Sequence, residues 1–86
     1  MTWKISWVES ARRELRKLDK PVQDKILRYM ATRVKSDPRR SGKELKGNFA
    51  GLWSYRVGDY RIICDIRSAE LIVIVVGAGH RKDVYK

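Results

Sequence analysis

Trp3, Ile5 and Trp7 alternate with Lys4 and Ser6, the period of two that gives a strand one buried and one open face, so a first strand is predicted over residues 2–7. From Ser10 the period lengthens. Ala11, Leu15 and Leu18 fall at i, i+4 and i+7 on one helical face, and the Ser10 hydroxyl is suited to accept from the free amides of a first turn, which predicts a helix over 11–18. Asp19-Lys20-Pro21 ends it and opens another, because a first helical turn accepts proline without losing an amide bond. The second helix, predicted over 21–35, carries the apolar stripe Val22, Ile26, Tyr29, Met30 and Val34. It stops at Asp37-Pro38, since the residue before proline disfavours helical dihedrals. Two short helices joined this tightly should form an antiparallel hairpin.

Residues 38–51 hold three glycines, a proline and several charges, with Leu45 and Phe49 as apolar anchors, and an ordered loop is expected there. Residues 52–57, 60–66 and 71–76 are rich in β-branched and aromatic side chains and are separated by Gly58-Asp59 and by residues 67–70; they read as a three-stranded meander. Residues 71–76 are apolar at every position, which predicts a strand in the middle of the sheet covered on both faces. Gly77-Ala78-Gly79 is then expected to release the chain into a short tail. The pattern as a whole predicts one small α+β domain over residues 1–86, β-α-α-β-β-β, with the helical hairpin on one face of a mainly antiparallel sheet.

Composition narrows the function. A chain of 86 residues holds one modest core, which excludes a large multi-domain enzyme. The longest apolar stretch, from Leu71 to Gly79, is far short of the roughly 20 residues of a spanning helix, and the alternating N-terminus lacks the continuous apolar run of a secretory signal, so a cytoplasmic location without membrane association is expected. Cys64 is the single cysteine and His80 the single histidine, which leaves no internal disulfide and no zinc module of several thiolates; no cofactor is expected. Twenty Lys and Arg against ten Asp and Glu give a net charge of +10, which calls for a polyanionic or acidic partner. The excess is greatest between Arg33 and Lys46, where Arg39, Arg40, Lys43 and Lys46 are candidates to hold RNA.

If Gly58-Asp59 is a two-residue hairpin turn, Val57 pairs with Tyr60 and Arg56 with Arg61 on one side of the sheet, while Tyr55 with Ile62 and Trp53 with Cys64 face the helices. Two like charges directly opposite each other destabilise a sheet by about 0.2 to 1 kcal/mol. Either an anion lies between them, or each guanidinium is neutralised by a carboxylate such as Asp65 or Glu70.

Three stretches resemble the RelE/ParE family of type II toxins: Lys43-Glu44-Leu45-Lys46-Gly47, Trp53-Ser54-Tyr55-Arg56-Val57-Gly58-Asp59-Tyr60-Arg61-Ile62, and Gly79-His80-Arg81-Lys82-Asp83-Val84-Tyr85. The order of elements is similar to that family's fold as well. The resemblance implies a toxin that enters the ribosomal A site and cuts messenger RNA without metal, silenced by a cognate acidic antitoxin; it would be monomeric when free and hetero-oligomeric with the antitoxin. By match to the family's catalytic positions, Arg56 and Arg61 would stabilise the scissile phosphate, Arg81 would bind the phosphate or assist the leaving 5′-oxygen, and Tyr85 would orient or deprotonate the 2′-hydroxyl. His80 is an added candidate, as the one side chain here that ordinarily exchanges protons near neutral pH. Ser54 stands where some members carry a second catalytic lysine, a charge that Lys43, Lys46 or His80 would have to supply. The same resemblance leaves two alternatives: a toxin that poisons DNA gyrase by protein contact, and a non-catalytic relic that binds RNA or serves as corepressor with its antitoxin.

Overall fold

The structure, a computed structural model, describes residues 3–80. Its sheet has five strands in the order β1-β5-β4-β3-β2, with β1 at Lys4–Trp7, β2 at Lys43–Glu44, β3 at Trp53–Val57, β4 at Tyr60–Arg67 and β5 at Ile72–His80. All neighbours are antiparallel except β1 and β5. Helices α1 (Glu9–Arg16) and α2 (Lys20–Tyr29) follow β1, and α2 continues through a π-helical turn, Met30–Val34. Together they supply Ala11, Leu15, Ile26, Met30 and Val34 to a core whose sheet side is Tyr55, Val57, Ile62, Cys64, Val73, Val75 and Ala78. The α+β architecture expected from the hydrophobic pattern is the one observed.

Four local expectations are corrected. Ser10 lies inside α1 rather than capping it; the helix starts at Glu9, and Val8 before it is held to the sheet by its amide, which donates to the Val75 carbonyl at 3.0 Å. Residues 38–51 are not simply a loop: Pro38–Ser41 forms a single helical turn, α3, and Lys43–Glu44 pairs with β3 as an edge strand. β5 is interior but has helices on one face only, since Val73 and Val75 are fully buried whereas Ile72 and Ile74 are half-buried. It also runs through Gly77–Gly79 to His80 instead of ending at Val76.

That last extension depends on a bulge. Cys64 pairs with Val75 while Ile63 pairs with Gly77, so Val76 is an extra residue and the alternation of faces restarts beyond it. Where β1 has already ended, the amide of Ala78 finds its partner in α1, donating to Glu14 Oε1 at 3.2 Å. An otherwise unpaired stretch of β5 edge is thereby fixed to the helical layer.

Candidate functional site

Two rows of side chains cross the open face of the sheet, the one away from the helices. The first runs Lys43, Ser54, Ile63 and Gly77 over β2, β3, β4 and β5; the second runs Arg56, Arg61 and Gly79 over β3, β4 and β5. The registers follow from the hairpin turn, in which Gly58 takes the positive φ of 61° and Asp59 does not. Val57–Tyr60, Arg56–Arg61, Tyr55–Ile62 and Trp53–Cys64 are paired as the sequence predicts. Ile63, in the first row, is buried yet stands outside the main core, and the glycines at 77 and 79 leave the β5 end of each row without a side chain.

A cavity of about 290 Å³ opens over these rows, lined by Ser41, Gly42, Lys43, Ser54, Arg56 and Arg61 among others. Arg56 is exposed and its Nε donates to the Gly58 carbonyl at 3.4 Å, while Arg61 is half-buried. Among the described residues no carboxylate lies within ion-pair distance of Arg56, Arg61 or Lys43. Of the two acids that neutralisation could draw on, Asp65 is bonded instead to Arg67, whose Nε donates to its Oδ2 at 2.7 Å and whose charged form that bond further favours, and Glu70 makes no ion pair among the described residues. Of the two outcomes open for facing guanidiniums, neutralisation of each by a carboxylate is not realised among the described residues.

The wall beside Lys43 is held by Tyr55. Its ring is fully buried, its hydroxyl donates to the Pro38 carbonyl at 2.9 Å, and burial pushes the phenol well above its usual range. Gly42 lies against that ring so closely that an added Cβ would come within 2.6 Å of Cε1. α3 and β2 are therefore seated on Tyr55, and β2 carries Lys43 across from Ser54. Position 43 supplies a cation to the cavity at the row where Ser54 lacks one.

The other candidates fall in different places. His80 ends β5 opposite Tyr60, its ring edge-on to the tyrosine with centroids 5.6 Å apart, which puts it on the helix-side face and across the sheet from the arginine pair. It is not a tail residue after a turn. Lys46 is exposed just before a 3₁₀ turn at Gly47–Phe49 and does not line the cavity. Arg39 is stacked between Trp3 and Trp53 and donates to Ser68 Oγ, outside the cavity. Arg40 lines a separate hollow. Arg81 and Tyr85 lie outside the described residues. Cys64 is a core thiol, as expected, pushed far above its ordinary range by burial. An apolar hollow of about 590 Å³ between β1 and α2, lined by Trp3, Trp7, Leu27 and Met30, shares no residue with the arginine cavity.

The family model for the ParE toxin of type II toxin–antitoxin systems matches residues 5–85. The chain belongs to that family. As a RelE/ParE toxin it is 29% identical over 86 residues to Toxin RelG of Mycobacterium tuberculosis, spanning 100% of this chain and 99% of that one. The crystal structure of the toxin–antitoxin complex RelBE2 from Mycobacterium tuberculosis matches with a TM-score of 0.90 and 28% identity, over 96% of this chain and 95% of the other. The archaeal RelE–RelB complex from Pyrococcus horikoshii has a TM-score of 0.79 at 20% identity, over 98% of this chain and 100% of the other, a likeness of fold alone. The sheet with its helical layer is thus the fold of this toxin family, and the paired arginines lie on the face of the sheet that the helices leave open.

Proposed function

We propose that this toxin is a ribosome-dependent endoribonuclease that cuts messenger RNA in the A site by attack of the RNA's own 2′-hydroxyl. The observation that carries the reading is the Arg56–Arg61 pair, which shares one cavity with Lys43 and has no carboxylate within ion-pair distance among the described residues. In the reaction the 2′-oxygen bonds to phosphorus as the bond to the 5′-oxygen breaks; one proton leaves the 2′-hydroxyl and one reaches the departing 5′-oxygen. Negative charge builds on the non-bridging oxygens in between, and planar, permanently charged guanidiniums suit that charge by bidentate bonding. Lys43 adds a point charge at the row of Ser54. Arg81 and Tyr85, matched by resemblance, would serve the leaving oxygen and the 2′-hydroxyl. His80 is left out of this set because it faces the other side of the sheet. None of the assigned groups is an efficient proton carrier near neutral pH, so the reaction relies on the ribosome to align the RNA.

The toxin would act in the cytoplasm and be silenced by an acidic antitoxin that neutralises part of its +10 charge. The solved relative RelBE2 is a toxin–antitoxin complex, which supports such a partner. The match to the ParE model favours a second reading, gyrase poisoning through protein contact. A translating extract with the purified toxin separates them. Cleavage of mRNA that is lost in Arg61→Ala supports the nuclease, whereas intact mRNA with growth arrest and broken DNA in cells supports the gyrase reading.

A further inference from the structure

Ser41 walls the arginine cavity on one side. On the other side of that residue lies a hollow of about 590 Å³ lined by Tyr29, Arg33, Asp37 and Arg40, and Ser41 is a wall of both. The partition is fixed from the hollow's side: Ser41 Oγ donates to the Arg33 carbonyl at 3.1 Å, its amide donates to the Asp37 carbonyl at 3.3 Å, and its carbonyl accepts from the Tyr29 hydroxyl at 3.3 Å. Arg33 lies in the π-helical turn, a rare widening of a helix that recurs at functional sites. Among the described residues neither Arg33 nor Arg40 makes an ion pair. The one carboxylate in the hollow, Asp37, faces the backbone through Oδ1, which accepts from the Arg40 amide at 3.3 Å, and two guanidiniums against it leave the hollow cationic.

We propose that this hollow is a second phosphate subsite, which holds a backbone phosphate of the same RNA strand whose neighbouring phosphate sits at Arg56 and Arg61. The inference rests on reading the chain as a toxin directed at RNA. Two cationic hollows that share one braced wall suit a polyanion with phosphates at regular intervals better than a single small anion. Phosphate contacts of this kind position a strand without reading its bases.

The test uses the full-length toxin and a short single-stranded RNA with 2′-O-methyl groups throughout, which cannot be cut by its own 2′-hydroxyl, titrated at rising salt. Arg33→Gln combined with Arg40→Gln should weaken binding by roughly tenfold and lower the slope of log affinity against log salt by about 0.7 to 1.4, the release expected for one or two phosphate contacts to a single strand. Arg12→Gln combined with Lys17→Gln removes the same formal charge from α1 and its C-cap and should change binding much less. Equal effects of the two pairs would overturn the subsite, since net charge alone would then explain the binding. So would a loss confined to a polyglutamate peptide, which would make the hollow an acidic-protein surface. Because the probe reads binding and not cleavage, a toxin that binds it through Arg33 and Arg40 but leaves mRNA intact in translation would remove the nuclease reading and keep the subsite.

Discussion

Arg61 and Arg67 stand on the same strand and the same open face of the sheet, with Ile63 and Asp65 between them, yet the structure treats them differently. Arg67 is bonded to Asp65; Arg61 lies about 13 Å from that carboxylate's row, four residues along β4, and faces Arg56. The strand's one carboxylate satisfies the guanidinium at the end far from the cavity. An exposed arginine near a carboxylate is what folding alone would produce, and such a pair stabilises little. Two facing arginines without one are a local cost of folding. The contrast leaves Arg67 in a surface ion pair and Arg61 outside any ion pair among the described residues, as the proposed phosphate site requires.

The largest expected effect breaks that contrast directly. Arg61→Ala should reduce mRNA cleavage during translation by about 100- to 1,000-fold, the range for removing one charge-stabilising donor, while Arg67→Ala leaves cleavage within about twofold. Urea unfolding should show the opposite bias, with Arg61→Ala or Arg56→Ala equal to wild type or more stable by about 0.2 to 1 kcal/mol. Loss of stability together with cleavage would mean that the pair is structural. Next in size is Gly42→Ala. Its Cβ has no room beside Cε1 of Tyr55, so β2 must shift, at a cost of about 1 to 3 kcal/mol in a urea titration. Cleavage should fall further than the folded fraction, because Lys43 moves with the strand.

That second variant also marks where sequence reasoning stopped. The hairpin register, and with it the Arg56–Arg61 pair, follows from the local chemistry of Gly58-Asp59 and from alternation along 53–57 and 60–64. β2 does not: a two-residue strand has no period, and what holds it is tertiary, namely the Tyr55 ring under Gly42 and the Tyr55–Pro38 bond from a distant strand. Lys43 is therefore legible in the sequence as one of three cations able to stand in at Ser54, but not as the one that lies across from it. The path of β5 was hidden for a related reason. Glycines at 77 and 79 signal a strand end, whereas here they extend the strand opposite Ile63 and Arg61, and the bulge at Val76 reverses the face on which His80 emerges. The Trp3–Arg39–Trp53 stack joins residues far apart in sequence and has no local signature at all.

The wall behind the cavity predicts an alkaline limit. Tyr55 and Cys64 both have folded pKa values raised by burial above their unfolded values, near 10 and 8.5. The folded state keeps both neutral, so the unfolded state loses protons first; stability is fully present below about pH 8 and declines above it, by up to about 1.4 kcal/mol per pH unit for each group that ionises only when unfolded. Tyr55→Phe should cost about 1 kcal/mol at neutral pH, from the unpaired Pro38 carbonyl, and should flatten the slope above pH 10. An unchanged slope would place the alkaline loss elsewhere.

The smallest effect is the sharpest control on the comparison. Arg39 is as exposed and as basic as Arg56, and the sequence marks both as candidates to touch RNA. In the fold Arg39 lies over two indole rings and bonds to Ser68, tying α3 to Trp3 before β1, to β3 and to the turn after β4. Arg39→Met keeps an apolar stem between the indoles and removes the charge, so it should cost about 1 kcal/mol in thermal or urea unfolding, the sum of two exposed cation–π contacts. Cleavage should then track the folded fraction and nothing else. If Arg39→Met instead reduced cleavage in a fully folded protein, the division between stacked and unpaired arginines would not separate structure from function in this toxin, and the RNA path would have to extend across the tryptophan edge of the sheet.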